Sequence, residues 1–358
     1  MTDLTGTRKK RDGTADLLKG FAVLFMMQVH LMEQFVSPDT SASLIGKVSM
    51  FLGGPPCAPV FLAAMGYFLV SSSKPLIYFL KRGLLLFLGG ILLNIARSAN
   101  LLVQIMNGTI VLDPWFFILG ADILTLAGLS LVMTGLLRMI FKSKAWLYFL
   151  TALGVAAMGP FSGNIGSHGT GAAYIIAFLW GNAAWSYFPV FPWFAYVLAG
   201  YAFRLFLIKV PPAKKPDVQK QPGYFIPLWI GVMITIPYAA RVSQNLEGIG
   251  GYYHHGILFF GWIVLFLLSY LTWMKLVDNA YGDHRFFRII KWIGEKVTTL
   301  YVIQWLIIGN LATWLFRTQD LFQFAAWYIF ITLTTLALGL LVDKFRKVVR
   351  PAGSSGMS

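Results

Sequence analysis

One cysteine in 358 residues, Cys57 within Gly53-Gly-Pro-Pro-Cys-Ala-Pro59, leaves no partner for an intramolecular disulfide and no CxxC or Cys/His cluster. Redox chemistry and structural zinc are therefore not expected, and no metal is. Charge is scarce as well. Asp, Glu, Lys and Arg make up 12% of the chain, against 57% hydrophobic residues and a mean hydropathy of +0.68. That is far more apolar surface than one soluble core buries, and the surplus must face lipid. Acidic residues are the scarcer sign, 14 against 29 basic, for a net charge of +15 and a pI near 9.8. Such a balance can signal a nucleic-acid partner, so the placement of the cations has to decide.

Runs long enough to cross a hydrocarbon core about 30 Å thick fall at roughly 17–36, 50–70, 79–97, 116–137, 145–160, 189–208, 223–241, 256–275, 298–316 and 322–343. The expected fold is an all-α polytopic transmembrane bundle of about ten spans, one domain over 1–350, followed by a small polar tail, 351–358, expected to be disordered. The Arg8-Lys-Lys-Arg11 cluster precedes a stretch of full spanning length with no small-residue cleavage site, which reads as a retained first helix rather than a signal peptide. With the N-terminus inside, 25 of the 29 Lys and Arg fall on the cytoplasmic side, and only Lys47, Arg97, Arg241 and Arg317 fall outside. This is the positive-inside pattern of an inner-membrane protein with both ends in the cytoplasm, and it accounts for the basic pI without nucleic acid. Residues 161–188 are apolar enough for an eleventh span, but a crossing there would put the basic loop 209–220 outside. They are expected to form a re-entrant or interfacial segment ending at Gly181-Asn182. The linkers Pro211–Pro216 and Asp278–Lys296 are the only long polar stretches, and no repeat is visible.

Ionisable residues inside a membrane are costly and point to function. The first helix carries Asp16, Lys19, His30 and Glu33. Lys19 and His30 are three helical turns apart, so they share a face at about 16 Å along the axis. Asp16 and Lys19 read equally as interfacial anchors. Asp122, at a similar depth to His30, either orients it, caps a helix or bonds Thr125. His254-His255 is either a substrate contact or interfacial polarity. Trp193, in Tyr187-Phe-Pro-Val-Phe-Pro-Trp-Phe194, belongs either to an aromatic belt or to a cavity wall whose prolines free backbone groups.

Asp16-Leu-Leu-Lys-Gly20 followed by His30 resembles the Asp-x-x-Arg-Gly…His signature of the integral-membrane acyltransferases, and in particular bacterial proteins similar to heparan-alpha-glucosaminide N-acetyltransferase. Pro59–Gly66, Asp122–Gly128, Phe191–Gly200 and Ile293–Tyr301 extend the resemblance in order along most of the chain. Lys19 stands where the usual residue is Arg, and Gln304 where many members carry a second histidine. The resemblance implies transfer of an acetyl group from cytoplasmic acetyl-CoA to a sugar hydroxyl or amine on the other side. Lys19, Lys81 and Arg82, with Asp16 beside them, would meet the CoA phosphates. His30, assisted by Glu33 and Asp122, would act as base or covalent acyl carrier. His254, His255 and Trp193 would contact the acceptor. The competing reading is a proton-coupled transporter, drawn from the same buried residues and from broken-helix candidates at Gly53–Pro59 and Pro189–Pro192, although no repeat halves match.

Overall fold

The computed structural model describes residues 12–162, 171–181, 183–211, 217–246 and 250–349. The Arg8–Arg11 cluster, Asn182, Pro212–Pro216 with Lys214 and Lys215, and the tail 351–358 lie outside them. The described chain is helical, and its only β pairings are two isolated bridges. Among the described residues, the helices of ten residues or more are α1 Gly13–Gln34, α2 Leu44–Gly53, α3 Ala58–Leu69, α4 Leu76–Arg97, α5 Ile123–Phe141, α6 Ala145–Ala157, α7 Val190–Lys209, α8 Ile226–Gln244, α9 Ile257–Tyr281, α10 Arg285–Glu295, α11 Val297–Leu315 and α12 Leu321–Val349. Among the described residues, nine helical stretches are long and apolar enough to cross a membrane, with α2 and α3 counted as one. The tenth, α6 with its following turn, is shorter.

Hydrogen bonds and ion pairs fix which helix ends share a face. On the N-terminal face, Thr14 donates to Asp278 (3.0 Å), Arg138 donates to the Ser72 carbonyl (2.7 Å), Lys275 pairs with Asp217 (3.6 Å) and Lys296 with Asp343 (2.6 Å). On the opposite face, Arg97 meets Asp122 (2.7 Å), the Phe188 amide donates to the Ala121 carbonyl (2.8 Å) and the Arg317 amide to the Gln34 carbonyl (3.1 Å). Gly159, after α6, packs against the His255 carbonyl on that same face. The described flanks of the segment 161–188, at Gly159 and Phe188, therefore lie on one face. The short helix Gly171–Ile176 within it has six residues, about 9 Å long, and cannot cross. Among the described residues of this segment, no helix is long enough for an eleventh crossing.

The Gly53–Pro59 candidate is a true break. α2 stops at Gly53 and α3 restarts at Ala58, because two prolines in succession cannot continue the amide ladder. The Pro189–Pro192 candidate only shapes the start of α7, where Phe191 is non-helical ahead of a cis proline bond. The segment 278–296, expected to be a linker, contains the amphipathic helix α10, whose Ile290, Ile293 and Gly294 are buried against α1. Its charged residues hid the period. Gly66 and Gly200 lie at the α3–α7 crossing, where an added Cβ would strike the facing backbone, so small residues let these helices touch. α1 runs through the middle of the bundle and is cross-linked to α2, as Gln28 donates to the Ser49 carbonyl (2.9 Å) and accepts from its hydroxyl.

A candidate active site around His30

The break between α2 and α3, with α1, α11 and the loops of the far face, leaves a cavity of about 390 Å³ in the half of the bundle away from the N-terminus. His30 and Glu33 reach it from α1, Arg97 from the end of α4, Asp122 from the start of α5, and Tyr301 and Trp305 from α11. His30 is held on two sides. Nε2 of Gln304 lies 3.2 Å from its Nδ1, and its ring packs on Trp305 with centroids 4.1 Å apart. Arg97 covers the same indole, its guanidinium carbon 4.4 Å from the centroid. An imidazole so clamped has its second nitrogen left for chemistry.

Asp122 is the N-cap of α5. One oxygen accepts from the Ile123 amide (2.6 Å) and the other from Arg97 (2.7 Å), while Thr125 completes a capping box. Of the roles weighed for it, the structure places the cap, and the residue it orients is Arg97. Glu33 is on the cavity wall beside the Tyr253 hydroxyl and within electrostatic reach of Arg317. The side chain in hydrogen-bond contact with His30 is that of Gln304 rather than either carboxylate.

Trp193 is fully buried behind the wall, where its indole N–H donates to the Tyr253 carbonyl (2.8 Å). His254 and His255 are buried too and do not line the cavity. Nδ1 of His255 is 2.7 Å from the Tyr252 carbonyl, which can only accept, so Nδ1 carries the proton. Its Nε2 then accepts from the Tyr196 hydroxyl (2.7 Å). Burial pushes both imidazoles down to about 4, which keeps them neutral at physiological pH. Trp193 and His255 hold the carbonyls of the 252–253 turn, which places Tyr252 and Tyr253 on the wall.

A second cavity, about 730 Å³ and largely apolar, opens on the N-terminal face between α1, α3, α6, α7 and α9. The two cavities approach each other along α3, where Val60 lines this one and Phe61 the His30 cavity. Lys209 and Asp12 border the second cavity, Arg204 donates to its wall residue Tyr67 (2.9 Å), and Lys19 lies over its wall residue Phe68 (5.7 Å). Lys19 is also paired to buried Asp16 (2.7 Å). Lys81 and Arg82 are exposed at the start of α4 and line neither cavity. Arg97, Trp305 and the paired role of Gln304 were missed in the sequence. Arg97 looked like a cation at a helix end, and the only signal for Gln304 was its place where relatives carry histidine.

Fold and cavity together define a polytopic membrane protein with a histidine-centred polar site. The catalytic-domain model of heparan-alpha-glucosaminide N-acetyltransferase matches residues 11–233, more than half of the chain, and the chain belongs to that family of membrane acetyltransferases. No curated protein and no solved structure matches it. The matched residues hold His30, Arg97 and Asp122, whereas Gln304 and Trp305 lie beyond them.

Proposed function

We propose that the protein transfers the acetyl group of acetyl-CoA, bound from the cytoplasmic side of the cell's inner membrane, to a hydroxyl or amine of a carbohydrate presented on the other side. The observation that carries this reading is the pair of cavities on opposite faces, one lined by His30 and the other opening on the N-terminal face, with neighbouring α3 residues Phe61 and Val60 on their walls. The N-terminal face is taken as cytoplasmic from the distribution of basic residues. The apolar cavity there suits the pantetheine arm, with Lys19, Arg204 and Lys209 at hand for the phosphates. Lys81 and Arg82 remain candidates on the same face.

In the reaction, the acceptor's lone pair attacks the acetyl carbonyl carbon as Nε2 of His30 takes its proton. Arg97, lining the cavity beside His30, faces the negative charge that develops on the carbonyl oxygen. Collapse breaks the C–S bond, and the leaving thiolate takes the proton to give CoA and the acetylated acceptor. A route through acetyl-imidazole would use the same nitrogen. Nε2 is free when Nδ1 carries the proton, which requires the Gln304 carboxamide to present its oxygen there. That oxygen is otherwise buried without a partner, and turning the amide over lets it accept from Nδ1.

Purified protein supplied with acetyl-labelled acetyl-CoA and glucosamine tests this reading. Labelled product together with free CoA thiol is expected. The transporter reading, which draws on the α2–α3 break, requires that acetyl-CoA be left intact, and an intact donor across a panel of amino sugars and sugars would overturn acyl transfer.

A further inference from the structure

The short helix Ala99–Met106, which follows α4 on the face away from the N-terminus, is amphipathic in the reverse sense of a helix that faces water. Its polar side turns inward. The backbone amide of Asn100 donates to the Asn310 carboxamide on α11 (3.0 Å), the Asn100 side chain donates to the Asn310 carbonyl (3.3 Å), and Gln104 reaches Asn100 (3.5 Å). Its apolar side turns out, with Val103 54% and Met106 85% exposed. A helix that spends its amides on the protein and shows valine and methionine outside has hydrocarbon rather than water against it, so it lies at the boundary of the apolar layer on that face.

This helix and the segment after it also wall the His30 cavity. Leu101, Ile110, Leu112 and Phe116 line it from there, and Phe316 lines it from just beyond α11. Leu112 and Phe316 are at the same time 50% and 54% exposed, so these two side chains border both the cavity and its surroundings, whereas Arg97 and Asp122 are shielded within. The cavity thus offers polar groups inside and an apolar rim beside lipid. A ligand that matches both parts is an amphiphile with a polar head and a hydrocarbon tail.

We propose that the acceptor is a glycolipid whose sugar enters the His30 cavity past Leu112 and Phe316 while its hydrocarbon chain stays in the leaflet on that side. The proposal rests on reading the cavity as the acceptor site and names the class of acceptor. The chemistry is that of the acetyl transfer above. An amine or hydroxyl of the head sugar bonds to the acetyl carbon, the C–S bond breaks, and the acceptor's proton ends on the thiol of CoA. The rim adds apolar contact that a free sugar cannot use.

The test uses the full-length protein in phosphatidylcholine nanodiscs, with labelled acetyl-CoA and either glucosamine or dodecyl β-glucosaminide as acceptor. Each methylene taken out of water is worth about fourfold in affinity, so the dodecyl form should exceed glucosamine in kcat/KM by at least about 10-fold. Enrichment in the bilayer raises that ratio in any variant alike, and Leu112→Asn and Phe316→Asn isolate the part played by the rim. Each should lower the ratio about 3- to 10-fold. Photolabelling of the wild-type protein by a glucosaminide with a diazirine in its alkyl chain reads binding without turnover and needs no variant. Label should fall on residues 101–117 and on Phe316, and be displaced by dodecyl glucosaminide but not by dodecanol. Glucosamine acetylated as well as its dodecyl form, a ratio that neither variant changes, or no displaceable label at the rim would overturn the glycolipid acceptor while leaving acetyl transfer in place. Displaceable label at the rim with no acetyl transferred to either acceptor would keep the glycolipid site and reject the acetyl-transfer reading.

Discussion

Nε2 of Gln304 lies 3.2 Å from Nδ1 of His30, across two helices that meet in the middle of the bundle. With its amide turned so that the oxygen faces Nδ1, Gln304 accepts Nδ1–H and fixes the tautomer, which sets which nitrogen faces the substrate. Gln304→Leu keeps the size and removes the bond. It should lower kcat about 10- to 100-fold, the range seen when an orienting partner is removed from a functional histidine in metal sites, with KM for acetyl-CoA unchanged. A kcat within twofold of wild type would show that Trp305 alone positions the ring.

The spans were legible because lipid imposes one rule on every residue of a crossing helix, and the faces were legible because short loops carry the cations. His30 was legible because an ionisable group in an apolar helix has few bland explanations. Its partners were not. Gln304 is 274 residues away, and no period links it to α1. Arg97 reads in sequence as a flanking cation, and only the fold shows Asn94 donating to the Ile118 and Gly120 carbonyls while Asn310 holds the Ala96 carbonyl, tying down the helix end that aims Arg97. Trp193 and His255 have polar tips that suggest an interface, yet in the fold those tips are consumed by backbone carbonyls and by Tyr196.

Arg97 and Asp122 are 13% and 8% exposed, so their ion pair lies in low dielectric. Asp122→Asn keeps an oxygen for the helix cap but leaves the guanidinium uncompensated, at a cost of about 3–5 kcal/mol, the usual size for breaking a buried pair from one side. Thermal unfolding in detergent should show this as a clear fall in Tm. The double variant Arg97→Gln with Asp122→Asn should be less destabilised than the sum of the singles. Additive losses would mean that the two charges are independently solvated.

A labelling experiment checks the topology. Gln219 and Asn245 are both exposed, on opposite faces of the bundle. In a Cys57→Ala background, a membrane-impermeant thiol reagent added from outside intact cells should modify Cys at 245 and spare Cys at 219. Modification of position 219 alone would invert the orientation, and with it the assignment of donor and acceptor sides.

His255 makes a second prediction about stability. Its folded pKa, about 4, is depressed below the ordinary 6.5, so the unfolded chain takes up a proton first as pH falls. The contribution is complete above pH 6.5 and is lost between about 6.5 and 4, amounting to about 3 kcal/mol. Tm should be flat from pH 8 to 7 and fall below 6.5. His255→Gln, which does not titrate, should flatten that slope, and an identical slope in the variant would assign the acid sensitivity elsewhere.

The decisive substitution is at His30 itself. As a general base it would contribute typically 10²- to 10⁴-fold, and as an acyl carrier more, so His30→Ala should nearly abolish transfer. Acetyl-CoA binding should largely survive, because the cations near the inner cavity lie about 16 Å away along α1 when measured from Lys19. His30→Gln retains hydrogen bonding but cannot take a proton at neutral pH, and it should be equally inactive. Exogenous imidazole gives the experiment its second arm. The cavity is large enough to admit it, so partial rescue of His30→Ala by imidazole would separate loss of the base from collapse of the site. If either folded variant kept more than about a tenth of wild-type turnover, less than the usual contribution of a base would be at stake and His30 would not be the catalytic group. The proton would then have to pass to Glu33, the other ionisable side chain that α1 brings to the same wall.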